Sequence, residues 1–485
     1  MQIRDAIQKE KGFAYMMEQL NTASGFARRV LLSKSFETDM EALKAEWDIM
    51  EKVIDYWKAN PKSPILSRLR HQLGKVKDLG GSFLSLTRGR WLDDVELFEL
   101  KTFAMNADLI AELWAETRLG IITYPSFEKV IDILDPEKTR VATFYIYNKY
   151  SEKLTEWREK LKISQQKLSE WREKDPESMA LKEEEQYFET LSREIIQEED
   201  RIRANIATRL TPFVKGLYTA LEQLVYLDIL LAKCEQAITK ELTKPHIVEN
   251  RIAIRQIFHP LVKDSLQEQG KRYQPIDLNI IKQPNVITGA NMAGKTVLLK
   301  TMVTLQYLAQ FGFFVPAEHA EIMLFEEVLV SIGDEQSEES GLSSFAAEMV
   351  TLNEILSKIE EGASVLVLID ELARTTNPIE GTALVNAVVE MLNQHEVCSL
   401  ITTHYNGIVA PCVRWRVKGF LENKVIGALT TRNINDYIDY SLEPDDSHVV
   451  PMEALNIAGL LGINSLLLEK AYRYLHAEKG EKKEE

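Results

Sequence analysis

Cysteine is scarce in this chain. There are three in 485 residues, Cys234, Cys398 and Cys412, far apart and without CxxC spacing. Such a set builds neither a disulfide framework nor a zinc site, and it suits a reducing compartment. Long apolar runs are also missing. The longest, Val365 to Ile369, reads as a buried strand, since a bilayer demands a helix of about 20 apolar residues. The opening MQIRDAIQKEKGFAY carries no apolar h-region of a secretion signal. These absences predict a cytoplasmic protein without a membrane partner. Positive charge is in deficit as well: 58 Lys and Arg stand against 74 Asp and Glu, a formal net charge of −16. Nucleic acid is held largely by Lys and Arg on phosphates, so the global field works against a dedicated DNA binder, although a local basic face can still serve. What is present is ordinary for a globular protein, with 45% hydrophobic and 27% charged residues.

The pattern changes along the chain. Residues 1–145 read as mostly helical, with apolar residues at helical spacing from Met40 to Trp57 and breaks at Asn60-Pro61, Ser63-Pro64 and Gly80-Gly81. The β-branched run Gly120 to Tyr124 suggests a short strand. Residues 146–250 read as a long helical hairpin. EKLTEWREK and QKLSEWREK nearly repeat, placing Leu154, Trp157, Leu161, Ser164, Leu168 and Trp171 on one seam. Lys174-Asp175-Pro176-Glu177 makes the turn, because proline cannot continue a helix interior. Leu181, Phe188, Leu191, Ile195 and Ile202 form the returning seam. From 251 to 440, short apolar runs (Asn285 to Thr288, Val328 to Ile332, Val365 to Ile369, Ser399 to Thr402) alternate with helical segments. That alternation signals a parallel sheet with helices on its faces. Residues 441–485 read as a helical segment with a charged tail.

Four motifs carry chemistry. GANMAGKT, from Gly289 to Thr296, fits G-x-x-x-x-G-K-[ST] after an apolar strand and before a helical run. In such a loop the backbone of Gly289, Ala290, Asn291, Met292, Ala293, Gly294 and Val297 wraps phosphate oxygens. Lys295 reaches the β- and γ-phosphates of ATP and Thr296 places its hydroxyl on Mg²⁺. Second, the strand Val365 to Ile369 ends in Asp370, suited to Mg²⁺, and Glu371, suited to polarising the attacking water. Third, LITTHYN delivers His404 to the same sheet edge, where it can sense a γ-phosphate. Fourth, Ser340, Gly341, Ser343 and Ser344 precede a helical run, and small polar residues there favour an anion.

The order of these elements resembles the ATPase domain of the MutS family, within the ABC-type branch of P-loop enzymes. TGANMAGKT matches the family's TGxNxxGK[ST], including Asn291. Asp370 and Glu371 match its acidic pair, Thr403 and His404 its TH, and Ser340 to Met349 its signature loop. Phe258-His259-Pro260 is similar to the entry to that domain. LNTASGFARRVL, from Leu20, is similar to the start of the family's helical core. The expected architecture is an α/β P-loop NTPase domain following an all-α core with a long helical hairpin. The resemblance implies a homodimer, or a heterodimer with a related MutS-like subunit, in which each signature loop caps the partner's ATP. It also implies adenine stacking by Tyr273.

The departures point elsewhere. The core-like segment begins near residue 20, which leaves no expected place for the mismatch-reading and connector domains, and no nuclease-like extension is expected. The loop after Glu371 reads ARTTNPIEG where the family has GRGTSTxDG, with Ala373 and Thr375 replacing glycines. DNA stays open as a partner that the charge does not favour. The alternative is a protein client, because the chain also resembles MutS-like reactivase subunits of adenosylcobalamin-dependent lysine or ornithine aminomutases.

Overall fold

The computed structural model describes residues 1–175, 177–289, 294–332, 344–421, 434–445 and 454–481. The chain divides into two compact units.

One unit holds Asn21–Leu32 and Lys52–Cys234 and is helical throughout its regular structure. The helix Asp94–Ala115 opens on a capping box, in which Asp93 accepts from the Glu96 amide and Glu96 returns to the Asp93 amide. The buried Asp228 carboxylate accepts from the amides of Ala23 and Ser24 and from the Ser24 hydroxyl, at 2.7–2.8 Å, pinning the entry to helix Gly25–Leu32. The hairpin is formed by Glu152–Lys174 and Met179–Leu210, capped by Ser151 and Ser178. Leu154, Ser164, Leu168, Leu181, Leu191, Ile195 and Ile202 are buried along it as the seams predict, while Trp171 near the turn is exposed. The expected strand at Gly120 to Tyr124 does not form. Its backbone is satisfied by a side chain instead: Gln223 accepts from the Thr123 amide and donates to the Thr123 carbonyl.

The other unit holds Met1–Leu20, Ser33–Glu51 and Glu235–Glu485. Its strands are β1 (His246–Ile247), β2 (Arg251–Ile257), β3 (Ile276–Ile281), β4 (Pro284–Thr288), β5 (His319–Ile322), β6 (Glu327–Ser331), β7 (Val365–Ile369), β8 (Cys398–Thr403), β9 (Val413–Phe420) and β10 (Ile438–Pro444). A small sheet runs β1-β5-β2-β3, and a six-stranded sheet runs β10-β9-β4-β8-β7-β6. In the larger sheet β9, β4, β8, β7 and β6 are parallel, and β10 pairs antiparallel on the edge. Every residue of β4, β7 and β8 is buried, including the polar Asn285, Thr288, Ser399, Thr402 and Thr403, as strands of a parallel sheet covered on both faces must be. Helices Lys295–Gln310, Ser344–Glu360 and Pro378–Gln394 connect these strands.

The N-terminal segments group with this α/β unit, not with residues 52–145, where helical pattern alone had placed them. Phe13 stacks on Phe311 at 5.4 Å and meets Tyr307 edge-on at 5.6 Å, and Phe36 meets both rings. Glu10 accepts from the Thr304 hydroxyl at 2.7 Å. Burying these rings against helix Lys295–Gln310 outweighs sequence distance. No described helix is long and apolar enough to cross a membrane. Cys234 and Cys398 are buried free thiols, and burial pushes Cys398 up to about 12. Among the described residues no cluster of metal-ligating side chains forms.

Candidate nucleotide site

β4 runs from the core to Gly289, and helix Lys295–Gln310 starts behind Gly294. Ala290, Asn291, Met292 and Ala293 lie outside the described residues. Gly294 has φ +74°, and a Cβ there would stand 2.9 Å from the Tyr440 ring. Conformation and proximity both demand glycine at that position.

The first helical residues supply polar side chains to this edge. Lys295 is buried; its ammonium donates to the Gly289 carbonyl at 2.8 Å and lies 3.3 Å from Glu371. The Thr296 hydroxyl donates to one oxygen of Asp370 at 2.6 Å, and the Thr402 hydroxyl donates to the other at 2.6 Å. The Thr402 oxygen also accepts the Glu371 amide at 3.0 Å. Parallel neighbours β4, β8 and β7 therefore bring the ends of three distant segments together at one edge. Glu371 and Ala373 adopt left-handed backbone, φ +48° and +61°, conformations that only a firm surround maintains.

Tyr273, Gly294, Lys295, Thr296, Val297 and Glu371 line one cavity of about 690 Å³. Its apolar part is built by Ile257, Val262, Leu266, Ile276, Val417 and Leu442, with Tyr440 beside them. Burial raises the phenols of both Tyr273 and Tyr440, so each stays neutral. Tyr273 accepts the His259 amide at 3.0 Å, which fixes its ring against the wall. Gln274 holds β10 in place: its amide donates to Asp439 at 2.8 Å and to Ser441 at 3.2 Å, on either side of Tyr440. Such a mostly apolar cleft with a charged end suits a base joined to phosphates.

The structure treats the other sequence candidates differently. His404 follows β8 but does not line the cavity; its Nδ1 is buried without a hydrogen-bond partner, and its ring lies 4.3 Å from that of Tyr405. Ser340, Gly341 and Ser343 lie outside the described residues, and Ser344 opens the helix Ser344–Glu360. Thr402, Gln274 and Tyr440 went unnoticed in the sequence. Thr402 stood in plain view beside His404, but Tyr440 belongs to an edge strand without a motif.

A parallel sheet that gathers Lys295, Thr296, Asp370 and Glu371 at one edge has the layout of an ATPase-type α/β domain. The family model described as MutS domain V matches residues 285–469. The Endonuclease MutS2 of Carboxydothermus hydrogenoformans is 35% identical over 301 residues, 60% of this chain and 35% of that protein. That of Lacticaseibacillus casei is 32% identical over 295 residues, 59% of this chain and 35% of its own length. That of Pediococcus pentosaceus is 37% identical over 212 residues, 43% and 26% of the two chains. Residues 285–469 carry a MutS domain V, and the chain's match spans about a third of the length of the first two relatives. Their names lend no support to an aminomutase reactivase.

Proposed function

We propose that this chain binds ATP in the cavity, hydrolyses it, and uses the cycle to act on nucleic acid as a dimer. The observation that carries the reading is the convergence of Lys295, Thr296, Asp370 and Glu371 at one end of an apolar cleft. Lys295 would hold the β- and γ-phosphates. The paired oxygens of Thr296 and Asp370 are the hard donors that Mg²⁺ prefers, and the ion would neutralise charge on the phosphates. Glu371 would take the proton of the attacking water. Tyr273 and Tyr440 would contact the base. The signature segment Ser340 to Ser344 would cap the partner's nucleotide, and His404 would respond to the γ-phosphate.

Charge supports the nucleic-acid client locally. Between Asn60 and Trp91 seven Lys and Arg face one acid, Asp78. Arg68, Lys75, Lys77, Arg88 and Arg90 are exposed, as is Trp91. The excess acid of the whole chain conceals this stretch. The Endonuclease MutS2 relatives are named for cutting nucleic acid, and only an ATP-driven part of such work is proposed for this chain.

Calorimetry with Mg-ATP, together with phosphate release, tests the core of the proposal. Heat of association and turnover are expected, both lost in Lys295→Ala. A folded wild-type chain giving neither overturns it. Duplex and branched DNA should bind with an affinity that falls steeply with salt, and binding absent even at low salt would remove the nucleic-acid client alone.

A further inference from the structure

Ala373 occupies left-handed backbone, φ +61°, with no glycine's freedom. Both polar groups flanking its Cα are held. Its amide donates to Glu348 Oε1 at 2.8 Å, and its carbonyl accepts from the Tyr405 hydroxyl at 2.5 Å. Tyr405 is itself wedged, since a Cβ on Gly381 would stand 2.4 Å from its hydroxyl oxygen. Two residues earlier Glu371 is left-handed too, with its amide on Thr402. The segment from Glu371 to Ala373 is therefore fixed at one end by β8 and at the other by Glu348, from helix Ser344–Glu360, and Tyr405. Glu348 does not line the cavity.

We propose that Glu348 is a positioning residue for hydrolysis: by holding the Ala373 amide it keeps the backbone turned so that the Glu371 carboxylate faces the cavity beside Lys295. The inference rests on the ATPase reading above. It assigns Glu348 no contact with nucleotide. Because the carboxylate belongs to helix Ser344–Glu360, any shift of that helix passes directly into the orientation of Glu371.

The test is steady-state ATP turnover and the Kd of a fluorescent ATP analogue, both on the full chain. Glu348→Ala is expected to lower kcat about tenfold or more, as small misplacements of a catalytic group do, while Kd changes less than about threefold. Glu348→Gln keeps an acceptor for the same amide and is expected to restore most of the turnover. Adding Ala373→Gly to Glu348→Ala should also recover turnover, because glycine takes the left-handed conformation without an external hold. A merely structural glutamate would not be rescued in that way. Full turnover in Glu348→Ala, with ATP bound as in wild type, overturns the proposal, as does the absence of rescue in both variants. If Glu348→Ala does not fold, Glu348→Asp, whose shorter carboxylate falls back from the Ala373 amide, is read in its place: kcat falls with Kd kept, and an unchanged kcat overturns the proposal. A wild-type chain that neither binds nor hydrolyses ATP overturns the ATPase reading first, and this inference with it.

Discussion

Lys295 and Glu371 form a largely enclosed ion pair, 3.3 Å apart, with side chains 4% and 15% exposed. The ammonium also donates to Gly289, so a phosphate bound as proposed would compete with a carboxylate and a carbonyl for the same donor. Nucleotide binding would loosen Glu371 from Lys295 and leave it able to polarise water.

The two partners of this pair should fail differently when changed. Lys295→Ala removes the ammonium proposed to hold phosphate and leaves Glu371 in a poorly solvated place, so ATP binding is expected to disappear. Glu371→Gln removes the competing charge and, on the proposed reading, the general base as well. Affinity should hold or rise while turnover falls by about 10²-fold or more. Fluorescent nucleotide titration and single-turnover hydrolysis separate the two. With ATP, Glu371→Gln should run at twice the 55.5 kDa of one chain in light scattering. A monomer there would sink the paired-site reading and spare ATP binding.

Gly381 should tolerate alanine only if Tyr405 is removed. It sits inside helix Pro378–Gln394, where alanine favours helix by about 1 kcal/mol. Against that, the new Cβ would stand 2.4–2.8 Å from the phenol of Tyr405, which is buried and tied to Ala373. Overpacking of this kind costs about 1–3 kcal/mol and wins. Gly381→Ala should therefore lower the urea midpoint. In a Tyr405→Ala background the same change should raise it, a reversal of sign that only direct contact explains.

The parts legible in the sequence were those whose burial is complete. β7 is an unbroken apolar run, and β4 and β8, buried throughout, keep apolar centres beside Asn285, Ser399, Thr402 and Thr403. β2 alternates irregularly, β3 buries only Leu278 and Ile280, and β9 carries Arg414, Arg416 and Lys418, so neither the small sheet nor the antiparallel edge announced itself. Tyr440 was hidden with that edge. The attachment of Phe13 and Phe36 to Tyr307 and Phe311 is a matter of tertiary packing between residues some 300 apart in sequence, which local pattern does not encode. Gly120 to Tyr124 misled because Gln223 plays the part of a neighbouring strand.

His259 should make the protein less stable in mild acid. Burial holds its imidazole below the usual 6.5; Lys300 acts in the same direction and Glu10 opposes both. A histidine depressed in the folded state is neutral there and protonated on unfolding, so the unfolded chain binds more protons below that value. The stabilisation is present above pH 6.5 and is lost as pH falls through and below it. The expected slope is about 1 kcal/mol per pH unit beyond that of His259→Gln. Denaturant unfolding of both chains between pH 7.5 and 5, with parallel curves, would refute it.

Tyr440 should read the base and not the phosphates. A Cβ on Gly294 would stand 2.9 Å from its ring, which lines the same cavity as Tyr273, with Gln274 bracing its strand from both sides. Stacking of a base on an aromatic ring contributes about 1–3 kcal/mol, and about 1.4 kcal/mol is tenfold in affinity. Tyr440→Ala is thus expected to weaken ATP roughly tenfold or more. Tyr440→Phe keeps the ring and should keep most of the affinity. The discriminating measurement is competition by inorganic tripolyphosphate, which has no base. If Tyr440 acts through stacking, its removal leaves tripolyphosphate affinity where it was. If it acts by shaping the loop at Gly294, tripolyphosphate and ATP weaken together, and the aromatic contact to the base is ruled out.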